Sequence, residues 1–178
     1  MSTVDQFESV FKAAAKTTYL HEAPSLGKVL LVTDLDNSQA ALYLQTVRNF
    51  LGEILPENDT DWIVLHKNDY QSVKDLLENV EQHQPELLVT YRNLCSEAWR
   101  WPYSLGEHLD VLTQVMSTPV LVLPHPDRDD SVELFANPPK KIMAVSGHLC
   151  GEGSLVQYAA TFTPKGGKLL LSHIEDES

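Results

Sequence analysis

Two rhythms of apolar residues alternate along this chain. Lys28 to Thr33 is a continuous apolar run of strand length, the kind that is buried on both faces of a parallel sheet. The polar stretch after it gives way to Ala40, Leu44, Val47, Leu51 and Ile54, which follow the 3.6-residue period of a helix, with Asn37 or Ser38 placed to cap it. The pair then recurs. Asp61 to His66 reads as a second strand, and Val73, Leu76, Leu77 and Val80 as one face of a helix that must end before Pro85. Glu86 to Tyr91 is a third strand, Leu105, Leu109, Leu112 and Met116 mark a third helix, and Pro119 to Pro124 is a fourth strand bounded by prolines. Strands separated by helical crossovers predict an α/β fold: a doubly wound, mainly parallel sheet with helices on both faces. An amphipathic helix is also predicted near the N-terminus, where Phe7, Val10, Phe11 and Ala14 share one stripe.

Residues 125–139 are polar, proline-rich and aperiodic, and read as a linker. Lys140 to Ser146 then resembles the first strand, with Lys141 over Lys28 and Val145 over Val32. Leu155, Ala159 and Phe162 give a helical stripe, and Gly167 to His173 echoes the second strand. The offsets, 113 residues at the first strand and 107 at the second, suggest a tandem repeat. The expected organisation is residues 1–27 as helix and connection, 28–124 as a domain, 125–139 as linker and 140–178 as the start of a second repeat. That repeat stops after strand, helix and strand. It is expected to be cut short within a longer tandem protein, or to complete the first sheet or pair with another chain. A homodimer or an intramolecular tandem pair follows, because an unfinished sheet exposes a pairing edge.

Composition narrows the function. The 178 residues carry 13 Lys plus Arg against 25 Asp plus Glu, a net charge of −12, so a nucleic-acid backbone is not the expected partner. Two cysteines, Cys95 and Cys150, do not form a disulfide framework and point to a reducing, cytoplasmic setting. The apolar runs are too short for a membrane helix.

Open α/β sheets bind ligands at the carboxyl ends of their strands, which directs attention to four loops. The first offers Thr33, Asp34, Leu35, Asp36 and Ser38, whose oxygens suit a ribose, an adenine or Mg²⁺, while Asp36 equally suits a helix cap. The second offers His66. Around the third strand and helix lie Thr90, Tyr91, Arg92, Gly106, Glu107 and His108. Ser104 to Glu107 matches a capping box, a structural reason for the glutamate. The segment Tyr91 to Tyr103, with Arg100 between Trp99 and Trp101, suits a ligand base, a partner surface rich in acid, or packing of its aromatics over the sheet edge. No phosphate-binding G-x-x-x-x-G-K-[ST] loop, no G-x-G-x-x-G fingerprint and no nucleophile elbow occurs. His66, His108 and His125 lack zinc-type spacing, so a metal-assisted hydrolase stands third among the readings and no metal site is expected. Cys95 reads as a small, half-buried side chain with no base beside it.

The segments Val29 to Asp34, Pro85 to Thr90, Ser104 to Leu112 and Pro119 to Pro124, taken in order, resemble the universal stress protein (UspA-like) family. The ending Leu169 to Asp176 is similar to that family's second strand and its tail, so the chain looks like a tandem member truncated within its second repeat. The resemblance implies a Rossmann-like, adenine-nucleotide alpha-hydrolase-like fold and a stress-response role. It also implies a site for ATP or AMP with Mg²⁺, built from an aspartate after the first strand and a G-x2-G-x9-G-[ST] motif. Asp34 matches the aspartate and Gly106 the last glycine. Thr90 or Tyr91 stands at the first glycine position, the second has no glycine, and Glu107 replaces the hydroxyl residue. In the second copy Ser146 or Gly147 holds the aspartate's place. What the resemblance implies is therefore a non-catalytic regulatory or interaction module with a degenerate nucleotide site, and alternatively an ATP- or AMP-binding member with slow hydrolysis or none.

Overall fold

A computed structural model describes residues 22–55, 59–101, 103–127, 135–136, 139–147 and 153–174. The expected N-terminal helix and most of the expected linker lie outside these residues. Four strands, β1 (Lys28–Val32), β2 (Asp61–Leu65), β3 (Leu87–Tyr91) and β4 (Val120–Leu123), form a parallel sheet in the order β2-β1-β3-β4. The connecting helices are α1 (Asn37–Leu51), α2 (Val73–His83) and α3 (Glu107–Val115). Right-handed crossovers place α1 on one face and α2 with α3 on the other, and α2 and α3 pack together. The fold is α/β and Rossmann-like, as the alternating rhythms predict.

Burial follows the strand order. In the central strands every residue of β3 and all of β1 after Lys28 are buried, whereas edge strands β2 and β4 are only partly covered. This is why β1 and β3 read as unbroken apolar runs. On α1 the buried residues are Ala40, Tyr43, Val47 and Leu51. Tyr43 takes the inner position expected of Leu44, because its ring meets Tyr91 edge-on at 5.6 Å between centroids. Leu109 and Leu112 anchor α3, but Leu105 lies before the helix and is exposed. Strand limits are one residue shorter at several ends than the apolar runs.

Of the two readings of the first cap, Asp36 holds and Asn37 or Ser38 does not: the Asp36 carboxylate accepts from the Gln39 N–H at 2.9 Å and the Ser38 hydroxyl at 2.7 Å. The Ser104–Glu107 capping box does not form, because Gly106 occupies the cap position and no side chain bonds to it. Ser104 is engaged elsewhere: its hydroxyl donates to Asn93 Oδ1 and its carbonyl accepts from Asn93 Nδ2, both at 3.0 Å.

Beyond the main sheet, β5 (Lys141–Ser146) and β6 (Lys168–His173) pair in parallel around α4 (Gly153–Thr161). They form a separate two-stranded sheet, so the expectation that they complete the first sheet is not met. Their register repeats that of the first pair: Lys28 faces Asp61 and Lys141 faces Lys168, positions displaced by 113 and 107. Phe135 fastens the intervening segment to α1, edge-on to Tyr43 and Phe50 at 6.0 and 5.3 Å. Tyr158 and Phe162 of the second unit pack against the same core.

Candidate functional site

The chain leaves β1 in one direction, to β2, and returns past it to β3 and β4. The crevice between the carboxyl ends of β1 and β3 is therefore the topological switch point, where such sheets hold ligands. A cleft of about 360 Å³ lies there, bordered by Asp34, Lys67, Cys95, Glu97, His125 and Asp127.

Its floor is a closed hydrogen-bond network. Thr33 Oγ1 lies 2.7 Å from the Tyr91 hydroxyl, and the Thr33 carbonyl accepts from the Tyr70 hydroxyl at 3.2 Å. The Tyr91 hydroxyl donates to Asp34 Oδ1. Asp34 Oδ2 accepts the Cys95 backbone N–H at 2.6 Å, and the Asp34 N–H donates to the Tyr91 oxygen at 3.2 Å. The aspartate thus ties the end of β1 to the end of β3 and to the loop beyond it. Thr90 is buried, its hydroxyl donating to the Val32 carbonyl at 3.0 Å, so it braces the two central strands rather than facing the cleft. Burial, aided by Asp34, pushes the Tyr91 hydroxyl far above its ordinary range, and burial does the same for Tyr70, so both remain neutral donors.

The loop after β3 is shaped by positive φ angles at Asn93 (61°) and Cys95 (62°). Asparagine tolerates that region, and its buried side chain is satisfied by Ser104. Gly106, at φ 84°, passes so close that a Cβ there would lie 2.7 Å from Asn93 Cα. The glycine is required by this contact within the protein. Burial and the Asp34 charge raise the Cys95 thiol above its ordinary value, which suppresses the thiolate a nucleophile needs.

The remaining expected residues disperse. Leu35 donates its N–H to Thr33 Oγ1 at 3.2 Å and lines the cleft. Ser38 belongs to the helix cap. His66 turns to Asp69, 2.9 Å from Nδ1, while His108 packs edge-on to Tyr70 and His125 to Tyr91. Among the described residues no group of three His, Cys, Asp or Glu is placed to hold a metal ion. Arg92 is partly buried and Glu107 is exposed in the first turn of α3. Arg100 lies 3.7 Å from Glu97. In the aromatic segment Tyr91 is buried, but Trp101 and Tyr103 are 71% and 98% exposed, so they do not pack over the sheet edge. Lys67 and Asn93 fall in the loops His66–Asp69 and Tyr91–Tyr103 that the strand ends single out, though neither is a named candidate there, while Tyr70 lies outside them and carries no signal in the sequence.

Counted back from Gly106, the two earlier glycine positions of the expected motif fall on Asn93 and Ser96 rather than on Thr90 or Tyr91, and the space beside Gly106 is filled by Asn93. No helix among the described residues is long and apolar enough to cross a membrane. No family model matches the chain, and neither a curated protein nor a solved structure matches it.

Proposed function

We propose that this chain is a non-catalytic regulatory or interaction module of the universal stress type, acting in the cytoplasm, in which the residues at the switch point serve as a structural clasp. The observation that carries this reading is the engagement of both Asp34 oxygens, one by the Tyr91 hydroxyl and one by the Cys95 N–H. Dispersal of the histidines and the raised Cys95 thiol support the absence of catalysis. The contact surface would include the exposed Trp101 and Tyr103, since solvent-facing aromatic side chains are typical anchors of protein interfaces. The exposed Met143, Val145 and Leu170 on the second sheet favour self-association as the arrangement in solution.

A second reading has its own observation. The cleft at the switch point is lined by both Lys67 and Asp34, which suits a small adenine ligand with one phosphate, such as AMP. Calorimetric titration of the full chain with Mg-ATP and, separately, AMP distinguishes the readings. The module reading expects no saturable heat from either; binding of AMP that is lost in Lys67→Glu would install the second reading instead. Sedimentation velocity across a concentration series tests self-association, and a monomer throughout would remove it.

A further inference from the structure

The connection to the second unit starts where the chain leaves β4, at Pro124, His125, Pro126 and Asp127. Two contacts pin its first residues to the switch point. The Tyr43 hydroxyl donates to the Pro124 carbonyl at 3.3 Å, and the His125 ring lies edge-on to Tyr91 at 4.7 Å between centroids. From Tyr91 the rings continue in series: Tyr91 meets Tyr43 at 5.6 Å and Tyr43 meets Phe135 at 6.0 Å, each pair close to perpendicular. Edge-on contact is a favoured geometry for aromatic pairs. His125 therefore begins a row of packed rings that runs to Phe135, the residue that fastens the same connection to α1.

The ring is held in one protonation state. Nδ1 of His125 accepts the Asp127 backbone N–H at 3.2 Å, so that nitrogen carries no hydrogen. An imidazolium has a hydrogen on both nitrogens; it cannot accept this bond and would set one N–H against another. The groups around the ring favour a different setting once it is charged. The cleft it borders carries the carboxylates of Asp34 after β1, Glu97 in the loop after β3 and Asp127 in its own turn, against Lys67 after β2, while the Tyr91 hydroxyl and the Cys95 thiol stay neutral. Burial holds the ring's pKa below the ordinary 6.5, against the pull of Asp127 and Asp34. We propose that His125 is a proton-operated latch on the connection: neutral, it closes the 125–127 turn against Tyr91; protonated, it releases the Asp127 N–H and turns toward the carboxylates of the cleft, and the row of rings carries the change to Phe135. The latch acts whether or not the cleft holds a ligand, and it does not depend on the clasp made by Asp34.

Nuclear magnetic resonance of the full chain, titrated from about pH 8 to about pH 5, tests the latch. At the alkaline end a nitrogen–nitrogen coupling across the hydrogen bond is expected between the Asp127 amide and His125 Nδ1, and it is expected to vanish as the ring takes up its proton. The Asp127 amide and the ring protons of Tyr91 and Phe135 are expected to shift along one curve whose midpoint, below 6.5, is that of His125. His125→Asn supplies an acceptor that does not titrate and that bonds the backbone N–H two residues on, so it should keep the turn closed and abolish the shared curve. His125→Ala should show the released Asp127 signal already at the alkaline end. Absence of the coupling there, Tyr91 or Phe135 signals that ignore the His125 titration, or a shared curve that survives in folded His125→Asn would overturn the proposal; should either variant fail to fold, the wild-type titration still decides.

Discussion

Asp34 shows how a residue that looks like a ligand contact becomes a fastening. Its position beyond a buried strand is visible in the sequence, because a continuous apolar run followed by Thr-Asp-Leu-Asp places a carboxylate at the strand's carboxyl end. What the sequence withholds is the partner. Tyr91 is 57 residues away, and Cys95 contributes its backbone N–H, a group that every non-proline residue carries. Cys95 itself offers a check. Because burial and the neighbouring carboxylate raise its thiol, alkylation by iodoacetamide at pH 7.5, followed by peptide mapping, is expected to be slower than that of free cysteine. Rates that match free cysteine would remove the electrostatic account, and Asp34→Asn should speed the reaction.

At the scale of elements, the period of apolar residues was sufficient for β1 to β6 and for α1 to α4, but not for the 3-10 turn Glu97–Arg100 or for the helical residues Phe135 and Ala136 inside the expected linker. Its errors have local causes. Gly106 displaced the capping box because Ser104 is more tightly engaged by Asn93, and the aromatic ring of Tyr43 displaced Leu44 from the inner face of α1. Phe135 has no periodic signal, yet it packs between two rings of α1. Phe135→Ala is expected to cost about 1 to 3 kcal/mol, combining lost apolar burial with two edge-on ring contacts. Urea unfolding measures this; no loss would mean that the segment is not fastened to α1.

For the whole molecule, titrating groups set a direction for stability against pH. Burial lowers the pKa of His125 below 6.5, so the unfolded chain takes up its proton first and stability falls as pH drops through that range. Asp36, held by the Gln39 N–H and Ser38, and Glu86, held by Ser25 and the Lys28 N–H, are both lowered from ordinary values of 3.8 and 4.5. Their contribution is complete above those values and is lost as pH falls through the lower folded ones. The melting temperature should therefore decline in two stages, one below about pH 6.5 and one below about 4.5, as calorimetry across pH 8 to 3 would record. A profile flat to pH 4 would contradict the first stage. The pairing of the last two strands was also legible, since Lys28 with Asp61 and Lys141 with Lys168, offset by 113 and 107 residues, are paired positions. The apolar gap lined by Leu121, Leu123 and Ile142 was not, because it arises where β4 meets residues far along the chain.

The clasp is tested most directly by urea unfolding of the wild-type chain and Asp34→Asn, each with and without millimolar Mg-ATP. Asp34→Asn should lose about 1 to 3 kcal/mol without ligand, the cost of weakening two hydrogen bonds to a charged group. Mg-ATP should shift neither curve. An unchanged free energy for Asp34→Asn, together with stabilisation of the wild type alone approaching the ~2.7 kcal/mol of a ligand at 100 times its Kd, would contradict it and make Asp34 a nucleotide ligand.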